Sequence, residues 1–200
     1  LMLPVGTKIP VFSVLNQDSD VVSNSSLEGW SIFYFYPRDE TPGCTAQACS
    51  LRDSFAALQA KGVQVYGISP DSVKRHKKFA EHHKLPFTLL ADPEHTMIEG
   101  FGVWAEKSMF GKKYMGVERS SYIINPSGEV AAAFERVNPI GHAEFLLQEL
   151  SKIMQLYARR ITHRRHTGAR ESGGCSRNCQ PVGTGRIATR ACRRDRYLGK

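Results

Sequence analysis

The feature that most constrains this chain is the run Trp30-Ser31-Ile32-Phe33-Tyr34-Phe35-Tyr36, six aromatic or β-branched residues in seven, stopped by Pro37. Such side chains crowd a helix and fit a pleated surface, and a run without polar alternation has no face to give to water. It reads as a strand buried on both sides. A strand of that kind needs neighbours in its sheet and covering layers above and below.

The rest of the chain supplies them. Residues 11–15 and 21–22 are short apolar segments around the polar turn Asn16-Gln17-Asp18-Ser19-Asp20, an N-terminal hairpin. After Pro37 and a polar loop, Leu51, Phe55 and Leu58 fall at i, i+4 and i+7, the stripe of one helix closing near Lys61-Gly62. Residues 63–69 form a second strand, Asp71 or Ser72 caps a helix to about His83, and residues 87–91 form a third strand. Asp92-Pro93 opens a short helix, residues 100–116 are loop-rich, and strands 120–124 and 130–134 flank the turn Asn125-Pro126-Ser127-Gly128. Leu146, Leu150, Ile153, Met154 and Tyr157 mark a closing helix. This order predicts the α/β class: a central mixed β-sheet flanked by helices on both faces, with an N-terminal β-hairpin. Function in such sheets sits where strands end and helices begin, here after Tyr36.

The formal charge of +8 is not evenly spread. Residues 1–157 hold 15 Lys and Arg against 17 Asp and Glu, while residues 158–200 hold 12 against 2. The expected organisation is a folded domain over 1–157 and a basic, arginine-rich, unstructured tail over 158–200. A charge run of that sort attracts nucleic acid or anionic membrane at low salt, without specificity. The apolar content of 41% and the lack of a long apolar run exclude a transmembrane protein and a wholly disordered chain. His163, His166, Cys175 and Cys179 match no zinc finger, and His76, His82 and His83 read as solvated helix-face residues. Neither a metal nor a cofactor is expected.

Five cysteines are an odd number, and the first residues lack the basic start and long apolar stretch of a secretory signal. A reducing, cytoplasmic setting follows, in which paired cysteines are redox-active or metal-binding more often than structural. Cys44 stands where a strand-loop becomes a helix. Free backbone N–H groups and the helix dipole favour an anion there, so a thiol in that position ionises more easily. A buried, inert cysteine fits the position equally. Thr41, three residues earlier, offers a hydroxyl to an oxygen substrate or to the sulfur. Cys49 reads either as a small core residue or as a redox partner. In a regular helix the Cα atoms of i and i+5 lie roughly 8.7 Å apart, beyond the reach of a disulfide. A bond between Cys44 and Cys49 therefore requires the first turns of the helix to unwind.

The stretch Pro37-x-x-x-Thr41-x-x-Cys44 resembles the active-site signature of peroxiredoxins. The fuller pattern, Phe33-Tyr34-Phe35-Tyr36-Pro37 with Thr41-Pro42-Gly43-Cys44-Thr45, Ala48-Cys49 and Arg52-Asp53, is similar to the bacterioferritin comigratory, or Q-type, subgroup. The similarity continues through Val65-Tyr66-Gly67-Ile68-Ser69, Phe101-Gly102-Val103-Trp104 and Glu118-Arg119-Ser120 and spans about residues 4–157. The resemblance implies a thioredoxin-like fold and a thiol peroxidase acting on hydrogen peroxide and organic hydroperoxides. Cys44 is then the peroxidatic cysteine, oxidised to a sulfenic acid, and Cys49 the resolving one, forming an intramolecular disulfide reduced by thioredoxin or a similar dithiol. Arg119, Thr41 and the N–H groups of Gly43 and Cys44 would stabilise negative charge, while Pro37, Pro42 and Gly43 shape the pocket. A monomer is expected, with a dimer as the alternative. Two other classes compete: a general dithiol oxidoreductase, which normally carries C-x2-C at the helix start, and a nucleic-acid binder relying on the tail alone.

Overall fold

The computed structural model describes residues 1–109 and 111–167. Its elements in chain order are strands β1 (Ser13–Asn16), β2 (Val21–Ser23) and β3 (Trp30–Phe35), helices α1 (Pro42–Asp53) and α2 (Phe55–Ala60), strand β4 (Val63–Ser69), and helix α3 (Val73–His83). There follow β5 (Thr88–Ala91), α4 (Thr96–Gly100), the strands β6 (Trp104–Met109), β7 (Lys112–Val117), β8 (Ser120–Ile124) and β9 (Val130–Phe134), and finally α5 (His142–Thr167).

Seven strands form one mixed sheet in the order β2-β1-β5-β4-β3-β8-β9, with β3, β4 and β5 parallel and the flanking pairs antiparallel. All six residues of β3 are buried, and they alternate between two cores. Ile32, Tyr34 and Tyr36 join Cys44, Ala48, Leu51, Leu58, Phe79, Leu146 and Leu150 beneath α1, α2, α3 and α5. Phe33 and Phe35 join Ile9, Phe12, Met97, Ile98 and Phe101, from the N-terminal segment and α4, on the other face. The layers are thus unequal, four helices on one face and α4 with an extended segment on the other. Each fully buried large apolar side chain contributes about 1.5–3 kcal/mol. In β4, a Cβ on Gly67 would lie 2.5 Å from the Tyr34 hydroxyl and 2.8 Å from Leu89, so only glycine lets the Tyr34 ring cross that strand.

The expected mixed sheet, flanking helices and N-terminal hairpin are present, with differences in detail. The stripe over residues 51–58 is broken at Ser54, whose carbonyl accepts from both Ala57 and Leu58, so one expected helix becomes α1 and α2. The short helix begins at Thr96 rather than at Asp92. Asp92 still caps it, accepting the Ile98 N–H at 2.8 Å from outside the helix. Residues 100–116 are not loop: β6 and β7 form a hairpin pairing Trp104 with Val117, whose exposed, charged residues hide the apolar alternation that normally announces strands. The closing helix passes ten residues beyond Tyr157 to Thr167, through the boundary expected at 157/158, and the compact unit spans Leu1–Ile161. Cys175 and Cys179, with most of the tail, lie outside the described residues.

Candidate active site

The site is built where β3 runs out. Asp39, in the loop between β3 and α1, is 2% exposed and fully engaged. Its Oδ1 accepts from the Tyr36 hydroxyl at 2.7 Å, its Oδ2 lies 2.8 Å from His76 Nδ1, and its N–H donates to Asp71 Oδ2 at 2.7 Å. The other ring nitrogen of His76, Nε2, faces the Leu90 carbonyl at 3.1 Å. Both nitrogens meet acceptors, so a proton must lie between imidazole and carboxylate. His76 is therefore not the solvated residue the sequence suggests: it is buried, on the inner face of α3 with Phe79 and Ala80, and it fixes the loop that presents Cys44.

Thr41 caps α1 in an extended conformation and Pro42, whose fixed φ suits a first helical position, follows it. Thr45 N–H bonds the Thr41 carbonyl at 2.9 Å, so the N–H groups of Gly43 and Cys44 have no intrahelical acceptor. Cys44 is 1% exposed and its sulfur accepts from Arg119 Nη2 at 3.3 Å. Arg119 comes from the link between β7 and β8, 75 residues away in the chain. Gly43 leaves the approach open: a Cβ there would stand 3.4 Å from Arg119 Nη2 and 3.8 Å from Pro139. The Thr41 hydroxyl donates to the Arg38 carbonyl at 3.1 Å and not to the sulfur. Pro37 is half-buried and Pro42 exposed, at the two ends of the loop.

Arg119 is itself held by residues the sequence reading did not single out. Its Nη1 donates to Gln47 Oε1, and Gln47, three residues after Cys44, is fully buried. The Gln47 amide donates to His142 Nδ1 at 3.1 Å, which leaves His142 Nε2–H to donate to Ser121 Oγ at 2.9 Å. Burial, and then the nearby Arg119 charge, push the His142 pKa down to about 4, in keeping with a neutral ring in this relay. Helical spacing alone places Gln47 beside Cys44 and was a usable signal. Nothing in the sequence joins His142 to them.

His142 makes stability pH-dependent with a definite sign. Its folded pKa of about 4 lies below the ordinary histidine value of 6.5, so the unfolded chain takes up the proton first. The contribution is fully present above 6.5 and is lost as pH falls towards 4, up to about 3 kcal/mol. Urea titrations at pH 7.5, 5.5 and 4.5 should show midpoints falling with pH, and His142→Gln should flatten that slope. A variant as acid-sensitive as the wild type would contradict the assignment.

Cys49, five residues on in the same helix, is half-buried with its sulfur 4.0 Å from His83 Nδ1, and both Cys44 and Cys49 are free thiols. The chemistry available is that of a thiol at a helix N-terminus, held against a fixed guanidinium, with a second thiol within one chain segment. Glu40, His82 and His83 form a cluster the sequence reading did not foresee, with ligand atoms within 4.8 Å of one another.

The AhpC/TSA family profile matches residues 5–133. Peroxiredoxin Bcp of Escherichia coli is 41% identical over 151 residues, covering 75% of this chain and 97% of that protein. Peroxiredoxin Bcp of Bacillus subtilis is 38% identical over 156 residues, 78% of this chain and 99% of the relative. A Xanthomonas campestris bacterioferritin comigratory protein, solved in trapped intermediate and ligand complexes to study its alkyl peroxide reduction, superposes with a TM-score of 0.70 at 29% identity, covering 74% of this chain and 98% of that one. With a cysteine at a helix start facing Arg119 and a mixed sheet of the same fold, the chain belongs to the AhpC/TSA family, as a peroxiredoxin similar to the bacterioferritin comigratory proteins.

Proposed function

We propose that Cys44 is the peroxidatic cysteine, Cys49 the resolving one, and Arg119 the cation that serves the first step. The observation that carries this reading is the 3.3 Å contact between Arg119 Nη2 and Cys44 Sγ at the start of α1. The Cys44 thiolate attacks the distal oxygen of the hydroperoxide, the S–O bond forms as O–O breaks, and the leaving oxygen takes a proton to depart as water or an alcohol. Arg119 and the N–H groups of Gly43 and Cys44 lie where negative charge moves from sulfur to oxygen, and they need no reorganisation to meet it. Cys49 then displaces hydroxide from the Cys44 sulfenic acid, and a thioredoxin-type dithiol reduces the resulting disulfide.

Hydrogen peroxide and organic hydroperoxides are both substrates in this reading. An apolar-walled groove of about 470 Å³, lined by residues that include Phe134, Val137 and Ile140, shares His142 with the Gln47 network that holds Arg119 and offers room for an alkyl group. The alkyl peroxide reduction named for the Xanthomonas relative supports the same substrate class. No described helix is long and apolar enough to cross a membrane, and the proposed setting is the cytoplasm, with the protein acting as a monomer. Catalysis belongs to the compact unit Leu1–Ile161, so removing residues 168–200 should leave turnover intact and abolish retention on nucleic acid.

The test is NADPH oxidation coupled through thioredoxin reductase and thioredoxin, driven by hydrogen peroxide or an alkyl hydroperoxide. Arg119→Ala should lower the rate of peroxide attack by about 100- to 1000-fold, the loss seen when one donor to a developing oxyanion is removed. A rate within twofold of the wild type would place Arg119 outside the reaction.

A further inference from the structure

Cys49 must lose its thiol proton before it can act as a nucleophile, and the residues around it form an arrangement suited to take it. We infer that His83, oriented by Glu40, is the general base for the resolving step. This rests on the reading of Cys49 as the resolving cysteine.

The orientation follows from hydrogen bonding. Glu40 Oε2 lies 3.2 Å from His83 Nε2, and a carboxylate only accepts, so the proton of the neutral ring sits on Nε2. Nδ1 then carries the lone pair, and it faces Cys49 Sγ at 4.0 Å. The ring is fixed further: it packs edge-on against Phe79 at 5.0 Å, and Arg52 Nη1 holds the His83 carbonyl at 2.9 Å. Glu40 is also under constraint. Its φ of 60° is a left-handed conformation that a non-glycine residue keeps only where its surroundings enforce it, and His82 grips its other oxygen at 3.2 Å. Burial raises the Glu40 pKa, but the bonds from His82 and His83 outweigh it and hold the carboxyl below its usual range, so it is ionised in use.

In the reaction, Cys49 S–H gives its proton to His83 Nδ1 while α1 is intact, and the unwinding helix delivers a thiolate instead of a thiol. The thiolate pair attacks the Cys44 sulfenic sulfur, the S–S bond forms, the S–O bond breaks, and hydroxide leaves as water with a proton from the imidazolium or solvent. Peroxide is the only oxidant required. The other titratable or charged groups facing this pair are Arg52 on α1, itself paired with Asp53, Tyr34 on β3, and His82 beside His83 on α3.

The step is read by rapid mixing of reduced protein with peroxide, in EDTA so that the Glu40, His82 and His83 cluster stays free of metal. Sulfenic acid at Cys44 is trapped with a diketone reagent, and the Cys44–Cys49 disulfide is quantified by mass spectrometry after acid quench. In His83→Gln the second phase should slow relative to the first by about five- to thirtyfold at pH 7, because an ordinary thiol is only a few per cent ionised there. The gap should close above about pH 9.5, where the thiol ionises unaided. Glu40→Gln, which keeps the histidine, should show a smaller slowing with the same pH dependence, and it carries the test should His83→Gln fail to fold. An unchanged ratio at pH 7 overturns the base, as does a slowing that persists at high pH. A wild-type protein that forms no Cys44–Cys49 disulfide overturns the resolving reading itself.

Discussion

Cys44→Ser is expected to abolish peroxide reduction, to the enzyme-free rate, while the folded structure persists. The substitution keeps nearly the same volume at a position 1% exposed, so packing against Ile32, Ala48 and Leu51 changes little. Chemistry changes completely. Among the described residues the hydrogen-bond partner at this position is the Arg119 guanidinium, which at 3.3 Å orients an anion without removing a proton from a serine hydroxyl. The thioredoxin-coupled assay should read background, and thermal unfolding should move by no more than a few degrees. Residual turnover within tenfold of the wild type would remove Cys44 from the reaction.

His76→Ala is expected to produce the largest loss of stability, about 3–5 kcal/mol, because it strips the partner from a buried carboxylate. Asp39 keeps the Tyr36 hydroxyl but loses the contact at 2.8 Å, and the Leu90 carbonyl loses its donor. The loss should extend to the site, since Asp39 sits five residues before Cys44 and anchors the intervening loop. Urea unfolding should show the midpoint fall, and peroxide attack should slow in the protein that remains folded. A change below about 1 kcal/mol would mean that Asp39 is satisfied without His76.

The contrast between Cys44 and His76 shows what a sequence carries. Cys44 is legible because its environment is local: an aromatic strand, a polar loop, Pro42 at the helix start and the stripe over α1 and α2 all lie between Trp30 and Leu58. Arg119 is reached only through the family resemblance, since no spacing rule joins it to a cysteine 75 residues away. His76 is read wrongly because the surrounding lysines and arginine make its helix look solvated, and its buried partner belongs to another segment. Gln47 is within reach of helical spacing from Cys44, but its buried partner His142 lies 95 residues away at the start of α5, and no spacing rule joins the two. The hairpin of β6 and β7 escapes a reading of the sequence because only its base, Trp104 and Val117, reaches the core, and the exposed residues beyond leave no period to detect. Closing-helix length was underestimated because the arginine-rich composition after Tyr157 reads as unstructured, although arginine itself is a good helix former.

In the proposed reaction turnover joins the two thiols of α1, and α1 is continuous from Pro42 to Asp53 with both thiols free. Since roughly 8.7 Å separates such Cα positions in an intact helix, oxidation must open residues 41–51. Peptide mass spectrometry on peroxide-treated protein, with amide hydrogen exchange on the same sample, measures the bond and the opening together. A Cys44–Cys49 disulfide within one chain is expected, with protection lost across residues 41–51 and retained in Trp30–Phe35. Cys44 bonded instead to Cys175, Cys179, Cys192 or a second chain, with α1 still protected, would contradict it.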